Sequence, residues 1–161
     1  MPLLANLVLS IVLVFYQPIA SAQIMLGWLE PVTVMLDSNQ ILIQAKIDSG
    51  ADHSSLHAKG IQRFMKDNQA WVKFTTVNEL IIEALIHREA NIKTKIIGFN
   101  ARPVILLKIC LAGIIREIEV NLMDREHFSK PLLIGRSALS GFIINPNQIH
   151  MIQDTNCNIV Q

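Results

Sequence analysis

Residues 41–56 have the sequence Ile-Leu-Ile-Gln-Ala-Lys-Ile-Asp-Ser-Gly-Ala-Asp-His-Ser-Ser-Leu. The first half alternates between apolar and other side chains, which predicts a β-strand with one buried face running from Ile41 to Ile47. Such a strand brings Asp48 to its end, where the backbone must turn. The segment therefore predicts a carboxylate that the strand holds rigidly and that a ligand can still reach.

The residues Asp48, Ser49 and Gly50 allow two interpretations. Asp-Ser-Gly is a common turn sequence, in which the aspartate bonds only to nearby backbone. The same residues suit a catalytic loop, because glycine allows close backbone approach and the serine hydroxyl can bond across an interface. A second segment favours the catalytic interpretation: an apolar run from Pro131 ends in Gly135 and is followed by the start of a short helix.

Together, these two segments resemble the active-site sequences of retropepsin-type aspartic peptidases. The resemblance rests on Asp48-Ser49-Gly50-Ala51-Asp52 and, far downstream, on Leu133-Ile134-Gly135-Arg136. More narrowly, the chain resembles bacterial retropepsin-like proteins that are often labelled ATP-dependent zinc proteases. Further short matches extend this resemblance over nearly the whole chain after the N-terminal segment: Ala45-Lys46-Ile47, Ser55-Leu56-His57-Ala58, Trp71-Val72-Lys73-Phe74, Arg102-Pro103-Val104, Asp124-Arg125 and Ser137-Ala138-Leu139.

The sequence gives no support to the zinc and ATP in that label. It contains neither a His-Glu-x-x-His motif nor a Gly-x-x-x-x-Gly-Lys-Ser/Thr loop. His53 and His57 are four residues apart, but that spacing brings two ligands together on a helix, and a strand or coil is predicted here. We therefore expect aspartic peptidase chemistry with no metal and no cofactor.

The resemblance implies an all-β fold: a retropepsin-like (acid protease) closed β domain with one short helix near the C-terminus. The residues agree, because short runs rich in Ile, Leu and Val alternate with polar, glycine or proline breaks. The segment from Ile61 to Asn68 is the least strand-like, and we expect a short helix or a loop there. The C-terminal helix is expected to begin at Gly135 and to end at Gly141. Strands are predicted at 28–35, 41–47, 71–77, 80–86, 92–97, 104–111 and 117–122.

The first 22 residues carry no charged side chain and include an apolar run from Leu7 to Tyr16, followed by Ala20-Ser21-Ala22. This pattern predicts a signal peptide (residues 1–22), because the run is shorter than the roughly 20 residues of a membrane-spanning helix. An uncleaved membrane anchor is the alternative, since the segment lacks lysine and arginine. We expect a periplasmic or secreted protein, without stable membrane insertion after signal removal, in which residues 23–161 form a single domain.

The net charge of +1 gives no indication of a nucleic-acid partner. The two cysteines leave a structural question open. Cys110 and Cys157 could form a disulfide in an exported protein, but Cys110 could also be a small buried apolar residue in a strand.

The number of catalytic motifs bears on the oligomeric state. Aspartic peptidases need two carboxylates close together, so that the pair shares one proton. The sequence has one Asp-Ser-Gly, and Asp37-Ser38-Asn39 is not a second copy because asparagine replaces the glycine. The expected enzyme is thus a homodimer in which Asp48 of each protomer meets at the two-fold axis. It would hydrolyse a peptide or protein substrate; the alternative is a non-catalytic β module that binds extended peptides in the same groove.

The resemblance also implies roles for the residues around Asp48. Ser49 would bond across the dimer axis, Gly50 would present its backbone to the substrate, and Ala51 would complete the active-site loop. An ion pair between Asp52 and Arg136 would tie this loop to the short helix. Structural support is thus expected from three residues: Asp52, Gly135 and Arg136.

A flap that closes over the substrate is expected between Lys95 and Val104. Its candidate residues are Gly98 and Phe99, which have strand-like sequences on both sides. An ordinary loop is the alternative interpretation of this segment.

Overall fold

The computed structural model describes residues 23–36, 39–93, 99–153, 155 and 157. This part of the chain is almost entirely β, which confirms the fold class expected from the sequence. A single turn of 3₁₀ helix, Arg136–Ala138, lies between the last two strands. In chain order, the strands are β1 (Ile24–Gly27), β2 (Leu29–Leu36), β3 (Asn39–Asp48), β4 (Ser54–His57), β5 (Lys59–Lys66), β6 (Gln69–Thr75), β7 (Ile81–Leu85), β8 (Arg88–Lys93), β9 (Phe99–Leu111), β10 (Ile114–Met123), β11 (Leu132–Gly135) and β12 (Phe142–Asn145).

Six strands close into a barrel. β3 pairs with β2 on one side and with β11 on the other, and β11 continues to β4 and β10. The ring closes because β9 pairs with both β10 and β2. Apolar side chains fill the interior, as expected for a small barrel. Fully buried examples are Val32, Ala45, Val120, Leu132 and Ile134.

The strand that carries Asp48 has the predicted alternation. Its inward side chains from Ile41 to Ile47 are buried, whereas Leu42 is 58% exposed on the opposite face. β2 and β3 pair in antiparallel fashion, from Leu29 with Lys46 to Leu36 with Asn39. Burial of every second residue fixes the register of β3 and hence the position of Asp48, because a slip by one residue would turn its apolar side chains outward.

A separate three-stranded sheet, β5-β6-β7, lies between β4 and the second half of the barrel in the sequence. The expectation of a helix or loop at Ile61–Asn68 is wrong, since most of this segment belongs to β5. The alternation is missing because β5 is an edge strand with mostly exposed side chains. Asp67 and Asn68 both adopt positive φ and make the tight turn into β6, a conformation that these two residue types tolerate.

Near the C-terminus, the predicted short helix is only the 3₁₀ turn Arg136–Ala138. Gly141 follows with a φ of +83°, which ends the turn and leads into β12. β12 pairs in parallel with β1, so the two ends of the domain form a two-stranded sheet beside the barrel.

A disulfide joins Cys110 on β9 to Cys157, with the two Cα atoms 5.8 Å apart. This answers the question that the sequence left open, although Cys110 is also buried among apolar residues. Within the described ranges, no helix is long and apolar enough to cross a membrane. The predicted signal peptide lies outside the described residues.

Candidate active site

Asp48 is the last residue of β3, at the rim of the barrel. It pairs with Gly135, the last residue of the parallel strand β11. The backbone turns immediately afterwards, because the N–H of Ala51 donates to the carbonyl of Asp48 at 3.2 Å. The two segments that carried the sequence resemblance are therefore direct neighbours in the fold.

The Asp48 carboxylate is held by two donors. Its Oδ1 accepts the N–H of Gly50 at 3.1 Å, and its Oδ2 accepts a hydrogen bond from Lys46 Nζ at 2.9 Å. The side chain is 26% exposed, so it is fixed but accessible. The hydrogen bond from Lys46 is the main cause that lowers the pKa of Asp48; partial burial opposes it, and the Lys46 charge and the Gly50 and Ala51 N–H groups add to the lowering. In the single protomer the Asp48 carboxylate is thus ionised at neutral pH.

Gly135 is required by close backbone packing. A Cβ at this position would lie only 2.5 Å from the carbonyl carbon of His53, so no other residue type fits without moving the backbone. The Gly135 N–H donates to Ser54 Oγ at 3.1 Å, and Ser54 is fully buried. The structural role expected for Gly135 therefore has a direct physical cause, whereas Ser54 was not singled out from the sequence.

The loop after Asp48 is bound to the 3₁₀ turn by backbone and side chain. The N–H of Arg136 donates to the carbonyl of Ala51 at 2.7 Å, and the N–H of Ser137 donates to that of Asp52 at 3.2 Å. The expected ion pair between Arg136 and Asp52 is present. Both of its side chains are about two-thirds exposed, so its contribution to stability is small. Ser49 and Gly50 lie exposed at the tip of the loop.

The predicted flap falls on a β-hairpin. β8 and the first part of β9 pair in antiparallel fashion from Arg88 with Val104 to Lys93 with Phe99. Phe99 is thus a strand residue and not part of the tip, whereas Gly98 lies outside the described residues. Both strands begin earlier than the predicted strands at 92–97 and 104–111, since β8 begins at Arg88 and β9 at Phe99.

A cavity of about 210 Å³ lies between the active-site loop and the strands of this hairpin. Arg88 donates to Glu119 in its wall, with Nε–Oε2 at 3.0 Å and Nη2–Oε2 at 2.5 Å. The hydrogen bond from Arg88 is the main cause that lowers the pKa of Glu119, against a smaller effect of burial. The cavity is lined by Asp52, His53, Arg88, Ala90, Val104, Glu119 and Asn121.

His53 and His57 have different surroundings. His53 is exposed on the loop, whereas the buried His57 accepts the backbone N–H of Arg125 at its Nδ1, 3.0 Å away. Arg125 is buried as well and donates to Ser55 Oγ at 2.6 Å; burial lowers its pKa. His57 is therefore part of a buried structural network with Arg125 and Ser55, which was not expected from the sequence. Within the described ranges, no three His, Cys, Asp or Glu side chains form a metal-binding group.

Two further polar residues were not identified from the sequence. Lys46 bonds to Asp48, and period-two alternation could have revealed this contact because both residues lie on the same face of β3. Glu30 is fully buried and accepts backbone N–H groups from Gly27, Met151 and Ile152 at 2.5, 3.0 and 3.1 Å. It ties β1 to the C-terminal segment, a contact between distant residues that no local pattern reveals.

Curated proteins are similar to about two thirds of the chain. Curated relatives named probable alpha-L-glutamate ligase, from Shewanella halifaxensis, Shewanella pealeana and Desulfotalea psychrophila, are 30%, 32% and 34% identical over 122, 114 and 113 residues. These matches cover 71%, 66% and 65% of this chain but only 27%, 25% and 24% of the relatives, so the chain spans about a quarter of their length.

A solved structure and a family model match more of the chain. The crystal structure of a Legionella pneumophila protein of unknown function is similar, with a TM-score of 0.69 and 29% identity, over 82% of this chain and 100% of that one. The family model called RimB-like, described as retropepsin-like aspartic endopeptidase RimB, matches residues 25–154. The chain therefore belongs to the RimB-like family of retropepsin-like aspartic endopeptidases.

Proposed function

We propose that the protein is an aspartic endopeptidase that acts as a homodimer and hydrolyses peptide bonds with water activated between two Asp48 carboxylates. The observation that carries this proposal is the placement of Asp48. It ends a buried barrel strand, its carboxylate is oriented by the Gly50 N–H, and the side chain stays accessible. A rigid, reachable carboxylate is what general base catalysis on a peptide requires.

The chemistry needs one ionised and one protonated carboxylate. The ionised Asp48 takes a proton from water, which attacks the scissile carbonyl, and the protonated Asp48 of the second protomer donates to the developing oxyanion. In the single protomer the pKa of Asp48 is lowered. The second carboxylate supplies the opposing effect, because two like charges at one site raise one of the two pKa values. The proton-sharing pair is thus a property of the dimer.

The surface near Asp48 supports a dimer. β1 ends beside the catalytic strand, since the N–H of Ile47 donates to the carbonyl of Trp28 at 2.9 Å. The sheet formed by β1 and β12 has only two strands, and such a ribbon is marginal by itself. Three large apolar side chains in this sheet and directly after β1 are about two-fifths exposed: Met25, Trp28 and Ile143. A second copy of the chain packed here would cover these side chains and bring the two Asp48 residues together.

The cleft is proposed to bind the substrate in an extended conformation beneath the β8–β9 hairpin, which would act as the flap. The cavity beside the active-site loop is open to a side chain of such a peptide, and its walls come from the loop, the hairpin and β10. The Arg88–Glu119 ion pair joins the hairpin to β10 and would hold this wall in place.

The names of the relatives suggest a first substrate class to test. Those proteins are named alpha-L-glutamate ligases, but they are about four times as long as the matched segment, so their ligase activity is not transferred to this chain. A glutamate ligase makes glutamate-containing products, and a peptidase domain similar to part of such a protein would have those products as its substrates. We therefore propose peptides with α-linked glutamate as candidate substrates.

Export to the periplasm is part of the proposal. The N-terminal 22 residues have the pattern of a signal peptide. The Cys110–Cys157 disulfide supports this location, because disulfides persist in oxidising compartments. N-terminal sequencing of protein from the envelope fraction should yield Gln23 as the first residue. Recovery of an intact Met1 in a membrane pellet would instead indicate an anchor.

The alternative function is peptide binding without cleavage in the same groove. Incubation of the purified protein with a diverse peptide mixture that includes oligo-α-glutamate, from acidic to neutral pH, distinguishes the two. Product masses should show internal cleavage that a metal chelator does not change. Bound but intact peptides would favour the binding module, and loss of cleavage on chelation would contradict the two-carboxylate mechanism.

A further inference from the structure

Lys46 lies beside the proposed catalytic carboxylate and has no role in the mechanism described above. It is two residues before Asp48 on β3, so both side chains extend from the same face of the strand. Lys46 Nζ lies 2.9 Å from Asp48 Oδ2, and the Lys46 side chain is 43% exposed. A lysine stem of this exposure can move, whereas the Gly50 N–H that holds Oδ1 is part of the backbone.

The surroundings of Asp48 distinguish Lys46 from other charged groups. Among the charged side chains in the described part of the chain, Lys46 is the one that acts on the pKa of Asp48, and it lowers that pKa. The other charged or titratable groups on the elements packed around Asp48 contact other partners or line the neighbouring cavity. Asp52 and Arg136 pair with each other, and Glu30 accepts three backbone N–H groups within the core. His53 is exposed on the loop and lines the cavity beside Glu119.

Dimerisation through Asp48 has an electrostatic cost. Two ionised carboxylates brought to one axis repel each other, and the cost falls only when a proton is taken up or a positive charge lies nearby. Each protomer brings its own Lys46, so the dimer carries two such charges beside the pair. Lys46 thereby offsets part of the repulsion before any proton binds.

We propose that Lys46 is a positioning residue for the proposed reaction: it orients Asp48 through Oδ2 and supplies the positive charge that lets two Asp48 carboxylates meet. This inference rests on the proposed function, since it assumes the dimer. It goes further by assigning a role to a residue outside the Asp-Ser-Gly motif. The protonation of the two Asp48 carboxylates in the dimer should then depend on Lys46.

The test compares Lys46→Met with Lys46→Arg, which keeps the charge. The control is Lys73→Met, because the Lys73 side chain on β6 is 44% exposed and its Nζ lies 3.9 Å from Glu83 Oε1 in a different sheet. The first readout is the titration of the Asp48 carboxyl carbon by NMR, assigned by its loss in Asp48→Asn. Since a positive neighbour favours the charged form, Lys46→Met should raise the pKa values of the pair, and Lys46→Arg should restore them.

Two further measurements distinguish a positioning role of Lys46 from a contribution to fold stability alone. Sedimentation at neutral pH should show a dimer about tenfold weaker in Lys46→Met, because the charge is lost once in each protomer. That dimer should tighten on acidification more steeply than the wild type. The pH–rate profile should move to higher pH at both limits, with activity lost on the acidic side and gained on the alkaline side.

The outcomes are distinct. An Asp48 titration that is the same in Lys46→Met and wild type, or an equal change in Lys73→Met, would overturn the role of Lys46. A dimer of unchanged affinity in Lys46→Met would overturn the charge compensation. If the titration moves as expected but the wild type cleaves no peptide, the proposed enzymatic function fails, and with it the catalytic part of this inference.

Discussion

The Arg136 guanidinium donates a hydrogen bond to the Asp52 carboxylate, and so joins the 3₁₀ turn after β11 to the loop that carries Asp48. The bond spans 84 positions in the sequence and sits at the surface. Two backbone bonds run beside it, from Arg136 N–H to Ala51 and from Ser137 N–H to Asp52. The ion pair therefore reinforces a connection that the backbone already makes.

We expect Asp52→Ala and Arg136→Ala each to lower the free energy of unfolding by less than about 1 kcal/mol, because both side chains are mostly exposed. The loss in free energy of dimerisation should be larger than this loss in free energy of unfolding, because the loop lies at the proposed dimer axis. Denaturant melts and sedimentation of both variants and the double mutant would measure the coupling. Lys59→Ala, which removes an exposed ion pair with Glu126, is the control and should leave the dimer unchanged. Strictly additive effects would contradict a direct interaction.

Gly135→Ala should destabilise the fold by about 1–3 kcal/mol, because the added Cβ overlaps the His53 backbone and cannot be relieved by a side-chain rotation. The loop beside Asp48 would have to move, so cleavage should fall as well. Gly113→Ala is the matched control: its Cβ meets no atom, and only the φ of +74° opposes it. Denaturant melts showing the same loss of stability in both variants would argue against the close packing of Gly135.

The Cys110→Ala/Cys157→Ala variant should lose about 2–4 kcal/mol of stability, because the disulfide closes a loop with a sequence separation of 47. Melts with and without a reducing agent provide the measurement. The wild type should be destabilised by reduction to the level of the variant, and the variant should not respond. A wild type that melts identically under both conditions would show that the bond does not form.

The parts of the fold that were predicted correctly depend on local patterns. The alternation in β3 identified the strand, its buried face and the position of Asp48 at its end. β5 was missed because an edge strand with exposed side chains has no alternation to detect. Contacts between distant residues, such as Glu30 with Met151 or Gly135 with His53, depend on the closed barrel and have no local pattern.

Within the site, resemblance was more informative than pattern. It identified Asp52 and Arg136 as partners although they are far apart in the sequence, and the structure contains that pair. It did not indicate that Lys46 bonds to the catalytic carboxylate. The expected flap stays a prediction: Phe99 is the first residue of β9, and Gly98 lies outside the described residues. The two strands β8 and β9 begin earlier than their apolar runs suggest.

The Arg88–Glu119 pair should make stability depend on pH. Arg88 lowers the pKa of Glu119, so the pair contributes stability above the pKa of the unfolded glutamate, and this is lost as the pH falls through the lower folded pKa. In Glu119→Gln, the loss of unfolding free energy on acidification should be smaller than in the wild type. The difference should be less than about 1 kcal/mol, because the pair is partly exposed. Glu117→Gln, at an exposed position of the same strand, should retain the wild-type dependence. Melts at a series of acidic pH values would show the difference, and parallel curves for Glu119→Gln and the wild type would refute it.

The central claim is that Asp48 from two protomers forms one catalytic pair. Asparagine has nearly the same size as aspartate but cannot accept the proton from water, so Asp48→Asn should fold normally and lose cleavage by orders of magnitude. Its dimer should be at least as tight as that of the wild type, because two amides replace two repelling carboxylates. Peptide cleavage and sedimentation measured side by side on both proteins test this most directly. An inactive, dimeric Asp48→Asn beside an active, dimeric wild type is the predicted result; a cleaving monomer, or full activity in Asp48→Asn, would contradict it.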